Sequence, residues 1–255
     1  MSPFTSVAET TDRATPDLRI LEHWKAYGVR AGLAGASGGV DYRLPQKGRG
    51  LPGPWALLQA QLGWTAMVVS RQPHRAAVKV HDPVTAPRIL QGFDGHVTRQ
   101  RGLCIAVTVA DCVPVYLYHP DGPSIGIFHA GWRGVAAGIV EAGVRAMEGV
   151  SGHAAENIIM HCGVSICGSC YEVGPEVWEA LGEPKPKTNW PIDLRDVIAR
   201  RAQNLGITLI TVSPACTVHE SRGLQSYRRQ GAQSGRMAAY IGIGEPCTRT
   251  GTPVD

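Results

Sequence analysis

The first chemical signal lies near the middle of the chain. Asp111 and Cys112 interrupt an apolar run from Leu103 to Tyr118, and an acid in such a run needs a partner to offset its desolvation. Further on, His129 sits just before a Gly131-Trp132-Arg133-Gly134 turn. Taken singly, Cys112 reads as a small buried hydrophobe, Asp111 as a satisfied turn residue and His129 as structural. Taken together, a thiolate and an imidazole at adjacent strand ends suit either a metal site or a nucleophile with its base. Local sequence leaves both open. A separate signal is Cys167-Gly168-Ser169-Cys170, which with Cys162 or His161 could supply zinc ligands or a redox pair. No second C-x-x-C closes a structural site, so these cysteines read as buried, inert thiols.

The elements that must position these residues follow from pattern. Ala66 to Ser70, Ala76 to Val80, Cys104 to Ala110, Val113 to Tyr118 and Ser124 to His129 are apolar or β-branched and bounded by turn-forming or polar residues, which predicts strands. Val135, Ile139, Val140, Val144 and Met147 keep helical spacing after the turn at 131–134, with Gly149 as the stop. A second helix is predicted from the cap at Asp193 through Leu205 to Gly206, followed by a strand over Ile207 to Ser213. Residues 41 to 55 hold three prolines and three glycines without periodicity and read as a surface loop. The expected architecture is α+β, with mixed β sheets sandwiched by helices in a single domain over residues 18–246. A polar, frayed tail over 1–17 and a loosely packed tail over 247–255 complete the expectation.

Composition narrows the function classes. A chain of 255 residues can bury one substantial core. Its net charge of +4 is spread rather than clustered, which argues against a nucleic-acid partner. Seven cysteines in a chain too long to need a disulfide scaffold fit a reducing, cytoplasmic setting. The N-terminus lacks a basic stretch leading into an apolar core, so no signal peptide is expected. The apolar run at 103–118 is broken by Asp111 and Pro114 and falls short of the roughly 20 residues of a membrane helix.

Several segments together carry a family resemblance. Ala110-Asp111-Cys112-Val113-Pro114, His129-Ala130-Gly131-Trp132-Arg133-Gly134, Cys170-Tyr171-Glu172-Val173-Gly174 and Ser226-Tyr227-Arg228-Arg229, followed by Gly235-Arg236-Met237, resemble in order the motifs of the polyphenol oxidase or laccase-domain family. That family includes the bacterial peptidoglycan editing factor and purine nucleoside phosphorylases with adenosine deaminase activity. The resemblance implies a zinc site made by His74 of Gln72-Pro73-His74, by Cys112 and by His129. Two imidazoles and a thiolate suit zinc and leave the open fourth position of a catalytic site. Zinc is expected in preference to copper, because no two of the nine histidines stand two positions apart as they do in multicopper oxidases.

The resemblance further implies phosphorolysis of adenosine, inosine or methylthioadenosine and deamination of adenosine, with nucleoside and phosphate as small-molecule partners. Arg133, Arg228 and Arg229 are the candidates for holding phosphate, and Asp111 and Glu172 are the candidates for moving protons beside Cys112. The H-x-E signature of zinc deaminases is absent, so a deamination would use another arrangement of ligands and acid. A family Ser-Leu-Asn segment near the N-terminus is replaced here by Gly35-Ala36-Ser37-Gly38-Gly39, which leaves any substrate contact from that loop open. The competing expectations are a metal-free hydrolase or deamidase using Cys112 and His129, a peptidoglycan-editing role, and a partner-binding protein without turnover.

Overall fold

The computed structural model describes residues 3–12, 17–36, 39–48, 50–220 and 223–244. Two mixed sheets of seven strands stack on one another, the outer face of the first covered by several helices and that of the second by the helix Gly53–Leu62. The first sheet runs Thr5–Ser6, Leu209–Val212, Ile159–Cys162, Val113–His119, Ser124–Ala130, Gly95–Thr98 and Val78–Val80. The second runs Thr10–Thr11, Leu18–Ile20, Val29–Ala34, Met237–Ile243, Leu103–Val109, Ala66–Arg71 and Arg88–Gln91. This is the expected α+β arrangement of mixed sheets between helices.

The period-two alternation of a strand explains how one segment serves two cores. Along Leu103–Val109, Leu103, Ile105, Val107 and Val109 enter the layer between the sheets, where they meet Tyr116, Tyr118, Ile125 and Ile127 of the first sheet. Cys104 and Ala106 point the other way and pack with Trp55, Leu58 and Leu62 of the helix Gly53–Leu62. Both faces are buried, so the segment reads as a continuous apolar run rather than an alternating one. On the outer face of the first sheet, Val115, Leu117 and Phe128 pack under the helices Ile139–Ser151 and Leu194–Asn204.

Four local expectations change. The helix Gly53–Leu62 begins inside the segment read as a loop over 41–55. Its prolines fall at the N-cap and in the first turn, where a missing N–H breaks no helical bond, and burying Trp55, Leu58 and Leu62 contributes about 1.5–3 kcal/mol each. The helix expected from Val135 onward is two helices, Trp132–Ala136 and Ile139–Ser151, divided at Gly138 in the left-handed region (φ 88°). The second continues past Gly149 and stops at Gly152. The described part of the N-terminal tail is docked rather than frayed, because Thr5–Ser6 pairs with Leu209–Val212 and Thr10–Thr11 with Leu18–Ile20. Between them the buried Glu9 carboxylate accepts from the Val164 N–H (3.0 Å) and the Ser213 hydroxyl (2.5 Å). The tail over 247–255, and Ser37 and Gly38 of the glycine-rich loop, lie outside the described residues.

Candidate metal centre and its cavity

Strand register brings Cys112 and His129 together. In the antiparallel pair Val113–His119 and Ser124–Ala130, Val113 stands opposite Ala130 and Pro114 opposite His129. Cys112, one residue before the first strand, therefore lies beside the end of the second. Asp111 takes a left-handed conformation (φ 83°) that turns the chain there. Gly131 is required by this approach: a Cβ on it would stand 2.9 Å from the Cys112 Sγ, closer than a real Cβ contact allows.

His74 arrives from the second sheet. It follows the strand Ala66–Arg71 in a left-handed conformation (φ 60°). Gln72 secures the approach as a side-chain rung on the neighbouring strand: its amide accepts from the Thr108 N–H (2.7 Å) and donates to the Thr108 carbonyl (2.9 Å). The rings of His74 and His129 meet edge to face with centroids 4.7 Å apart. One ligand atom from each of His74, Cys112 and His129 lies within 4.8 Å of the others.

The residue that organises this group is Asp94, which is fully buried. One carboxylate oxygen pairs with His129 Nδ1 (2.9 Å) and accepts the His74 backbone N–H (3.0 Å), and the other accepts the Arg75 N–H (2.8 Å). Its own carbonyl accepts the His129 N–H (2.7 Å). One side chain thus orients the His129 imidazole, leaving its Nε2 to face Cys112, and pins the backbone from which His74 projects, as a carboxylate does behind a metal-binding histidine. Sequence reading missed Asp94, because an acid in Gly92-Phe93-Asp94-Gly95 looks like an ordinary turn residue.

The electrostatics of the group are those of a thiolate paired with an imidazolium. Burial pushes the Cys112 thiol up, but the charge on His129 and hydrogen bonds from His129 and His74 overcome it and hold the pKa at about 6. Burial likewise lowers His129, yet the Cys112 charge and the Asp94 hydrogen bond raise it to about 9. Such a thiolate and two oriented imidazoles fit a soft-to-borderline cation such as zinc. No further histidine joins them among the described residues, which does not fit a multicopper cluster.

The group sits in a cavity of about 690 Å³ whose lining includes Arg43, Arg71, Arg133, Arg228 and Arg236, with Asp111 the lone acid among the lining residues. Trp132, Tyr171 and Tyr227 supply aromatic surface. Arg133 lies 4.3 Å from the Trp132 ring centroid and Arg228 lies 5.3 Å from that of Tyr171.

The other expected site residues divide. Asp111 reaches the cavity, but its carboxylate accepts from the Thr217 hydroxyl (2.5 Å) and the Arg228 N–H (2.6 Å). It braces the Cys112 turn, which makes it a positioning residue rather than a free acid. Glu172 is exposed on the short strand Glu172–Val173, away from the cavity lining, because that strand pairs with Trp190–Pro191 instead. Arg229 is also absent from the lining. Its guanidinium donates to the carbonyls of Thr217 (2.6 Å), Val218 (3.1 Å) and Leu224 (2.8 Å), so it ties a loop together, while Arg228 lines the cavity. Arg43 and Arg71 were missed, since isolated arginines far apart in sequence give no local signal, and Arg236 was seen within the Gly235-Arg236-Met237 motif without being given a role.

Residues 54–244 match the family model described as multi-copper polyphenol oxidoreductase laccase, and the chain belongs to this family. It is 37% identical over 183 residues to the purine nucleoside phosphorylase ORF3 of Streptomyces griseus, covering 69% of this chain and 73% of that protein. It is 32% identical to the adenosine deaminase RL5 of an unknown prokaryotic organism, over 69% of this chain and 74% of that protein. The crystal structure of YlmD from Geobacillus stearothermophilus superposes with a TM-score of 0.76 at 25% identity, covering 96% of this chain and all of that one. YfiH from Bacillus licheniformis gives 0.78 at 25% identity over 90% of this chain and 97% of its own. No helix among the described residues is long and apolar enough to cross a membrane.

Proposed function

We propose that the chain is a zinc-dependent, cytoplasmic purine nucleoside phosphorylase that also deaminates adenosine, with His74, Cys112 and His129 holding the metal. The observation that carries this reading is the placement of those three ligands in a cavity lined by five arginines and three aromatic residues. The names of the relatives from Streptomyces griseus and of RL5 support the substrate class. Bound there, zinc would supply Lewis acidity and lower the pKa of a water in the open fourth position.

The chain's own residues account for binding and orientation. Phosphorolysis joins a phosphate oxygen to C1′ of the sugar and breaks the bond from C1′ to the base, whose nitrogen takes the electron pair. Phosphate must be held against the sugar, and guanidinium groups do this in bidentate fashion. Arg133 and Arg228 are placed for it, with Arg43, Arg71 and Arg236 adding positive field. Tyr171, Tyr227 and Trp132 offer flat faces on which a purine can stack. Asp94 holds the His129 imidazole and the His74 backbone and Asp111 holds the thiolate turn, so the ligands need little reorganisation when the metal binds.

A second reading is favoured by one observation: Asp94, His129 and Cys112 follow the order of orienter, base and nucleophile. A cysteine hydrolase, however, needs no second imidazole, and the His74 side chain hydrogen-bonds the same thiolate from a backbone pinned by Asp94. Adenosine and inosine turnover with and without phosphate tests the nucleoside reading. Arg133→Ala and Arg228→Ala are expected to lower phosphate-dependent cleavage by about 10-fold or more, the size of a lost charge-assisted hydrogen bond, and to lower phosphate-independent deamination less. Equal losses in both reactions would remove the anion-binding role. Amide or ester hydrolysis without nucleoside turnover would favour the metal-free cysteine enzyme.

A further inference from the structure

A second cluster of ligand-type side chains stands outside the cavity. Cys167 caps and Cys170 ends a single 3-10 turn, Gly168–Cys170. Cys216 and His219, a C-x-x-H pair much later in the chain, come to the same point. Ser165 and Cys216 form an isolated parallel bridge, reinforced by the Thr217 N–H donating to the Ser165 carbonyl (3.0 Å). The sequence offers no second C-x-x-C to complete a site, and the fold supplies the C-x-x-H in its place. Cys162 and His161, the sequence neighbours considered as ligands, turn elsewhere: Cys162 enters the helix-covered core, and His161 meets Glu9 (3.2 Å) and Thr211 (2.8 Å).

Four ligand-type groups are gathered within reach of one ion. One ligand atom from each of Cys167, Cys170, Cys216 and His219 lies within 4.8 Å of all the others. The Cys170 Sγ is 3.1 Å from His219 Nε2, and the Cys167 Sγ is 3.8 Å from Nδ1 on the other side of the same ring. Zinc bonds of about 2.0–2.3 Å in a tetrahedron place ligand atoms about 3.3–3.8 Å apart. The Cys167 N–H donates to the Cys216 Sγ (3.4 Å) and the Ser169 hydroxyl lies 3.1 Å from the Cys167 Sγ, contacts that support thiolates. All three cysteines are free. A single disulfide would leave one thiol and the imidazole without a purpose, whereas a metal uses all four groups.

We propose that Cys167, Cys170, Cys216 and His219 form a closed, structural zinc site, separate from the one in the cavity. It fastens the 167–171 loop to the 213–219 segment. The cavity wall depends on that join: Tyr171 follows Cys170, the Arg228 guanidinium donates to the Cys170 carbonyl (3.0 Å), and Thr217 donates to Asp111.

The test counts zinc in the full chain, purified reduced from zinc-supplemented cells, by elemental analysis and native mass spectrometry. Wild type should carry about two zinc ions per chain, and Cys216→Ser and Cys112→Ala about one each, because the sites are separate. His219→Cys should restore the count that His219→Ala loses, which separates loss of a ligand from loss of fold. In wild type, zinc should protect Cys167, Cys170 and Cys216 from alkylation until a strong chelator is added. If the cavity holds no metal, Cys112→Ala will leave the count unchanged while Cys216→Ser removes zinc, and the closed site stands alone. Complete zinc loss in folded Cys112→Ala would overturn the proposal. So would a disulfide between any two of the three cysteines in freshly purified protein, or alkylation of all three at the same rate with and without zinc.

Discussion

The molecule gathers cysteine and histidine at two places, and the two are built differently. Around the cavity, Cys112 and His129 come from adjacent strand ends and His74 from a loop pinned by Gln72, with three ligands opening onto about 690 Å³ of space. At the second cluster, two short turns from distant segments supply four ligands and leave no vertex of a tetrahedron free. Three ligands leave room for a reactant and four do not. The contrast assigns chemistry to the strand ends and mechanical support to the loops, and it can be broken at either end.

The largest expected effect is on activity. Cys112→Ala and His129→Ala should each lower nucleoside turnover on the order of 10³-fold, beyond the roughly 10–100-fold cost of losing a supporting residue, while circular dichroism stays near wild type. Cys216→Ser should do the reverse in stability, lowering Tm by roughly 10 °C, since a closed zinc site contributes several kcal/mol and each moves Tm by about 2–4 °C in a chain of this size. A Cys112→Ala protein that unfolds as readily as Cys216→Ser would erase the distinction. A smaller effect belongs to Asp94→Asn, which keeps the shape but weakens the hold on the His129 imidazole and the His74 backbone. Zinc affinity measured by chelator competition should fall about 10–100-fold, and an unchanged affinity would remove Asp94 from the centre.

The mildest prediction concerns pH. In metal-stripped protein the Cys112 thiolate persists above its depressed pKa of about 6, so alkylation of Cys112 should remain fast at pH 7, where an ordinary thiol near about 8.5 is mostly protonated. The rate should fall as pH drops through about 6. His129, raised to about 9, loses its proton as pH climbs through that value, and with it goes the charge that sustains the thiolate. Peptide-mapped alkylation rates across this range check the sign. A half-point near 8.5 would mean that the pair is not coupled.

What could be read beforehand follows from how each feature is encoded. Strands buried on both faces, such as Leu103–Val109, announce themselves as continuous apolar runs, and Cys112 and His129 stand out at their ends. The helix Gly53–Leu62 hid behind Pro52, Gly53 and Pro54, whose helix-starting role looks the same in sequence as a loop. His74 was legible through the Gln-x-His resemblance alone, because its approach depends on a rung between Gln72 and Thr108 on different strands. Asp94 and the arginines at 43 and 71 carry no local pattern, and only tertiary contact gives them a place. The same limit applies to Glu172 and Arg229, which do not line the cavity, whereas their motif neighbours Tyr171 and Arg228 do. Cys216 and His219 did leave a signal, a C-x-x-H at the spacing of the C-x-x-C, which a search for a second cysteine pair passes over.

Restoration of activity by metal tests the central claim most directly. Zinc is stripped from the wild-type chain, and phosphate-dependent cleavage of inosine is followed as zinc is added back, beside His74→Ala taken through the same steps. The account predicts that stripped wild type is inactive and recovers in proportion to zinc bound at His74, Cys112 and His129, and that His74→Ala folds but does not recover. Full turnover by the stripped enzyme, or recovery of His74→Ala equal to wild type, would contradict it.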